Sequence, residues 1–229
     1  MPTFTGFPAG TLAFLRQLEA NNDREWFNTN KARYESLVRE PALDFITAMA
    51  PRLAKISEHF VADPRKMGGS LMRVYRDTRF TRDKAPYKTN IGIQFRHELG
   101  RDVHAPGYYV HIENERCFLG AGAWHPDVSA LAAIRQRIAE KPGDWRKAVG
   151  GKGFKATFQL GGQALKRPPR GFDADHPAIE DLKRKDFIAV ADLARGEIHS
   201  SHLVDTVAER FRQASPLMAF LCTAHDVGF

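Results

Sequence analysis

The chain has 229 residues, 43% hydrophobic and 27% charged, with 34 Lys plus Arg against 27 Asp plus Glu and a formal net charge of +7. That balance is too apolar for disorder, and no run approaches the ~18 apolar residues of a membrane helix. Cys117 and Cys222 are too few for a disulfide framework, and no basic start precedes an apolar block. A soluble protein of the reduced cytoplasm, without signal peptide or membrane contact, is expected.

Residues 9–62 read as helical. Leu12, Phe14, Leu15 and Leu18 recur at helical spacing behind Thr11, an expected N-cap. Asn21 and Asn22 stop that helix, and Asn22 with Glu25 three residues on forms a capping-box pattern for the next. Its apolar stripe is Trp26, Phe27, Tyr34, Leu37 and Val38. A further helix is expected from Pro41, kinked or divided at Pro51.

The period changes in the middle. Residues 71–76, 91–97, 108–113 and 117–121 are short runs rich in Val, Ile, Tyr and Phe, and read as strands, with a turn at Asn114 and Glu115. No helix separates them, so an antiparallel sheet is expected. Residues 127–140 carry a helical stripe, 154–158 alternate like a strand, 161–177 form a loop rich in glycine and proline, and 186–191 read as a strand. A C-terminal helix over about 200–225 is expected to bend or divide at Pro216. The fold class is α+β: a mostly antiparallel sheet (about 70–191) packed with N-terminal and C-terminal helices, all in one domain spanning residues 1–229.

The charge is uneven. Residues 65–104 hold ten Lys or Arg and four Asp or Glu, net +6; the remainder is net +1. The densest part is RVYRDTRFTRDKAPYKT, residues 73–89. On a strand over 71–76, Arg73 and Arg76 face opposite sides, so one points toward the covered face and needs a carboxylate or a ligand anion. Arginine forks grip carboxylate or phosphate oxygens, Lys adds a point charge, and Tyr87 offers a hydroxyl. The residues read as ligand-binding are Arg73, Arg76, Arg79, Lys84, Tyr87 and Lys88, with Asp77 orienting an arginine. The competing reading uses the same residues as ion pairs that fasten the loop, Arg76 with Asp77 or Glu25 and Lys84 with Asp83.

Several blocks together resemble a known family. They are NNDREWFNTNKARYE, RVYRDTRFTRDKAPYKTNIGIQF, PGYYVHI, FLGAGAWHP, RPPRGFDADHP and LKRKDF. In this order and spacing, from about Phe14 to about Phe187, the chain resembles the domain of unknown function family 2461. The resemblance implies a single α+β domain and no reaction. Carried over position by position, its signature falls on Asn22, Arg24, Glu25, Trp26, Phe27, Lys31, Tyr34, Arg73, Arg76, Asp77, Arg79, Phe80, Asp83, Lys84, Pro86, Tyr87 and Lys88.

Other patterns are weaker. Gly120 and Gly122, before Trp124, follow a strand and precede a helix, and read as close packing or as the wall of an anion pocket. GGKG at 150–153 lacks the spacing of a phosphate loop. His199 and His202, and His97 and His104, lack a metal-binding motif, so no metal and no cofactor is expected. Arg167 and Arg170 flank a rigid turn that reads as a connection or a lid.

Three functions remain open from the sequence. The first is a pocket for a phosphorylated or carboxylated small molecule, with Asn22, Arg24, Glu25, Trp26 and Asp83 in support. The second is single-stranded nucleic-acid binding, disfavoured by the modest charge and the lack of a signature motif. The third is a structural protein whose Arg network only fixes a loop. Enzymatic activity and oligomeric state are not legible.

Overall fold

The computed structural model describes residues 4–100 and 106–229. His104 lies outside the described residues. The N-terminal helices are α1 (Gly10–Ala20), α2 (Arg24–Thr29) and α3 (Lys31–Tyr34), which runs through a π-helical turn at Glu35–Arg39 into α4 (Glu40–Leu53). The remaining elements are β1 (Phe60–Val61), β2 (Ile91–His97), β3 (Gly107–Ile112), β4 (Cys117–Ala123), α5 (Val128–Glu140), α6 (Pro142–Gly150), α7 (Lys152–Thr157), β5 (Gln159–Gly161), α8 (Ile179–Leu182), β6 (Phe187–Leu193) and α9 (Leu203–Ala224). The fold is α+β.

The sheet is antiparallel throughout, in the order β1-β2-β3-β4-β6-β5. One face is fully covered. Ile93 and Phe95, Tyr108 and Val110, Leu119, and Phe187 and Ala189 are buried there, under α4 and α9. Phe211 of α9 lies over Tyr108, ring centroids 4.5 Å apart. The opposite face carries the alternate residues, and among the described residues no helix covers it over β3 and β4.

The helical corner departs from expectation in instructive ways. Thr11 is buried and caps nothing. Pro41 has no N–H to give the Leu37 carbonyl four residues back, and the Thr11 hydroxyl donates to that carbonyl instead, at 2.7 Å. Asp23, rather than Asn22, caps α2 by accepting from the Trp26 N–H. α4 ends two residues after Pro51, and α9 passes Pro216 as one helix.

Two expected strands are corrected. Residues 71–76 touch their neighbours only through isolated bridges, Leu71 to Ile93 and Tyr75 to Tyr87. The alternation argued for Arg73 and Arg76 therefore fails, and neither is buried. Residues 154–158 belong to α7 and its end, with β5 following; Phe154 and Phe158 reach the core from a helical turn.

Candidate functional site

Two regions carry the polar chemistry. The first is the basic hairpin of residues 71–88. Its base is tied by backbone bonds, Arg76 N–H to Pro86 and Lys88 N–H to Val74. Asn22 fastens it to the helical corner: its Nδ2 donates to the Tyr87 carbonyl and its Oδ1 accepts from the Tyr87 N–H, both at 3.0 Å. The Tyr87 ring is buried and stacks on Phe27, 4.0 Å between centroids. The NNDREWF and DKAPYK blocks thus meet in one joint.

At the tip the charges close on one another. Arg76 pairs with Asp83, Arg79 pairs with Asp77, and Lys84 Nζ donates to the Thr78 carbonyl at 2.8 Å. The Arg79 fork holds the Asp77 carboxyl far below the ordinary range. Arg73, Arg82, Lys84 and Lys88 form no ion pair among the described residues. Burial, and then the Arg73 charge, lower the pKa of Lys88. Arg24 and Glu25 are exposed on α2, and Trp26 packs beside Phe14.

The second region is the open face of the sheet. A cavity of about 480 Å³ lies there, lined by Met72, Gln94, Tyr109, His111, Phe118, Gly120, Gly122, Trp124, Ile188 and Val190 among others. Gly120, Gly122 and Trp124 therefore belong to this groove and not to the hairpin tip. Met72 lines this groove and also a separate, tight crevice that includes Lys88 and Asn90.

Local geometry explains the glycines of the floor. Gly122 has φ +128° and a Cβ there would stand 2.0 Å from the Phe187 carbonyl oxygen, so only glycine lets β4 follow β6 this closely. At Gly92 a Cβ would meet the Tyr109 hydroxyl at 2.8 Å, so its absence makes room for that group.

The rim is held by Asp186, a buried carboxylate at the start of β6. Its oxygens accept from the backbone N–H groups of His125 and Gln163, both at 2.8 Å, and His125 Nδ1 lies at 3.2 Å. His125 has φ +47°, an uncommon conformation for a residue other than glycine. Asp186 thus joins the LKRKDF and FLGAGAWHP blocks and sets the corner that carries Trp124.

A polar chain runs along one side of β3. The Tyr109 hydroxyl lies 3.0 Å from His111 Nδ1, and His111 Nε2 lies 3.2 Å from Glu113 Oε2. The Asn90 amide approaches the same Nδ1 at 3.5 Å, and the His111 ring stacks on Phe118 at 4.5 Å. Burial, with a smaller contribution from Glu113, pushes the Tyr109 phenol up to about 12. The sequence reading missed these residues. Their signal was the alternation of Tyr109, His111 and Glu113 in YVHIE, which places all three on one strand face.

The chain is therefore an α+β protein with a one-sided antiparallel sheet and a walled groove on its open face. It belongs to the conserved hypothetical protein family DUF2461, whose family model matches residues 10–220. No curated protein and no solved structure matches it. Among the described residues there is no cluster of three His, Cys, Asp or Glu able to hold a metal, and no helix long and apolar enough to cross a membrane.

Proposed function

We propose that this chain binds a small, flat, anionic molecule on the open face of its sheet. The observation that carries the reading is the cavity of about 480 Å³ on that face, whose lining residue Met72 also lines the small crevice beside Lys88. A cavity of this size, mostly apolar with a few polar groups, suits a small ligand. Phe118 and Trp124 give the lining its aromatic surface, with His111 stacked on the Phe118 ring and the Arg116 guanidinium over the same ring. Lys88 and Arg73, at the hairpin base, supply the positive charge for a phosphate or carboxylate. Arg76, Arg79 and Lys84 shape the tip that limits access, and Tyr87 holds the base in place.

Equilibrium dialysis with adenosine monophosphate, 1-naphthoate and inorganic phosphate tests this. The two aromatic anions should bind more tightly than phosphate alone. Lys88→Ala and Trp124→Ala should each weaken them by about tenfold, the scale of one lost charged contact. Equal affinities in wild type and both variants would overturn the reading.

Single-stranded nucleic acid is the second reading, favoured by Phe80, 91% exposed with the Arg79 guanidinium over its ring at 5.4 Å, and by Tyr75, also exposed. Residues 76–84 carry four basic and two acidic side chains, only net +2. Oligonucleotide binding with a log–log salt slope of about −0.7 per phosphate would support this reading, and a flat line would remove it.

A further inference from the structure

We propose that Tyr109, His111 and Glu113 form a proton relay that takes a proton from an acidic hydroxyl, such as a phenol or enol, bound in the groove. The inference rests on the groove being a ligand site and adds what the site does to its ligand.

Glu113 faces His111 Nε2, so the carboxylate selects the tautomer with hydrogen on Nε2. That leaves Nδ1 with a lone pair toward the Tyr109 hydroxyl. The phenol then donates its own hydrogen to Nδ1; its oxygen accepts from the Asn90 amide and has a second lone pair for the groove. Such an oxygen accepts from a ligand hydroxyl. The arrangement follows the logic of a nucleophile oriented by an imidazole and a carboxylate, with the ligand in the place of the nucleophile.

The step balances. The ligand O–H bond breaks and its proton forms a new bond to the Tyr109 oxygen. The Tyr109 O–H bond breaks and that proton binds His111 Nδ1. The products are a ligand anion and an imidazolium, and the tyrosine ends neutral as it began. Glu113 faces the new cation, with Asn90 and Thr89 as its polar neighbours and the Phe118 ring over the imidazole. A phenol pushed up to about 12 does not persist as phenolate at neutral pH, so Tyr109 conducts the proton and His111 holds it. Tyr109 is the group that touches the ligand; His111 and Glu113 act through it.

4-Nitrophenol is the probe, because its anion is yellow and its neutral form is not. Dialysis reads binding, and absorbance reads ionisation, at a pH well below that at which the free phenol ionises. The bound probe should show the anion band in wild type. Tyr109→Phe should keep binding within about fivefold, the scale of one hydrogen bond, and lose the band. His111→Gln should lose the band, and Glu113→Gln should weaken it. Circular dichroism verifies that each variant is folded. Nitrogen NMR of labelled histidine supplies a second measurement, with hydrogen on Nε2 expected in the free protein. A probe that binds wild type and stays neutral overturns the relay and leaves the binding reading standing. A band of equal strength in Tyr109→Phe also overturns it. No binding of the probe overturns the relay, and the dialysis with the aromatic anions then decides the binding reading by itself.

Discussion

The basic hairpin and the open face of the sheet use polar side chains in opposite ways. At the hairpin tip, Asp77, Arg79, Arg76 and Asp83 satisfy one another in solvent. On the open face, the chain from Glu113 through His111 ends on Tyr109, a residue that lines a cavity. The hairpin holds most of the chain's excess charge, yet its structural anchorage is a neutral amide and a stacked ring. The face holds little charge, yet its few polar groups converge. Density of charge in a sequence and convergence of function in a fold are therefore separate signals.

The comparison breaks first at Asp186. If the rim depends on it, Asp186→Ala leaves the N–H groups of His125 and Gln163 without their buried acceptor. A cost of about 3 kcal/mol follows, lowering Tm by roughly 6–12 °C for a chain of this size. Ligand binding at Trp124 should fall with it. Thermal unfolding that matches wild type would show that the corner at His125 holds by other contacts.

Within the hairpin, the contrast is between its two ends. Asn22→Ala removes both side-chain bonds to Tyr87 and should cost about 1–3 kcal/mol. Arg76→Ala removes an ion pair exposed to water and should leave Tm nearly unchanged. Denaturant melts of both variants decide the matter. If Arg76→Ala proves the more damaging, the ion pairs fasten the loop and the stacked joint does not.

Much of this architecture was legible in the chain. Hydrophobic alternation marked β2, β3, β4 and β6, because one sheet face is buried and period 2 then shows. It misled at 71–76, where an edge segment pairs only at single residues and no face is enforced. It misled again at Phe154 and Phe158, which are four apart and share the same side of a helical turn. The joint between Asn22 and Tyr87 spans 65 residues. No local pattern encodes it, although the family's signature named both ends. The groove was half visible, through Gly120, Gly122 and Trp124. Its polar side was not, because Tyr, His and Glu on a strand read as ordinary solvent-facing residues until the sheet shows a cavity beside them.

The smallest expected effect sharpens the link between the two regions. Lys88 has its pKa lowered by burial and by Arg73. In the free protein the burial cost of the charged amine is present at neutral pH, and it is relieved as pH climbs from the lowered value toward the ordinary lysine value. A bound anion reverses the preference, because it stabilises the ammonium and pulls the pKa back up. Affinity for 1-naphthoate should thus be level at neutral pH and fall as pH rises through the lowered value, earlier than an ordinary lysine would allow. Lys88→Arg should keep its affinity across that range, since a guanidinium stays charged. Dialysis of both proteins over alkaline pH reads the difference. Parallel profiles would place the anion elsewhere, on Arg73 or Arg82, and would separate the hairpin from the groove.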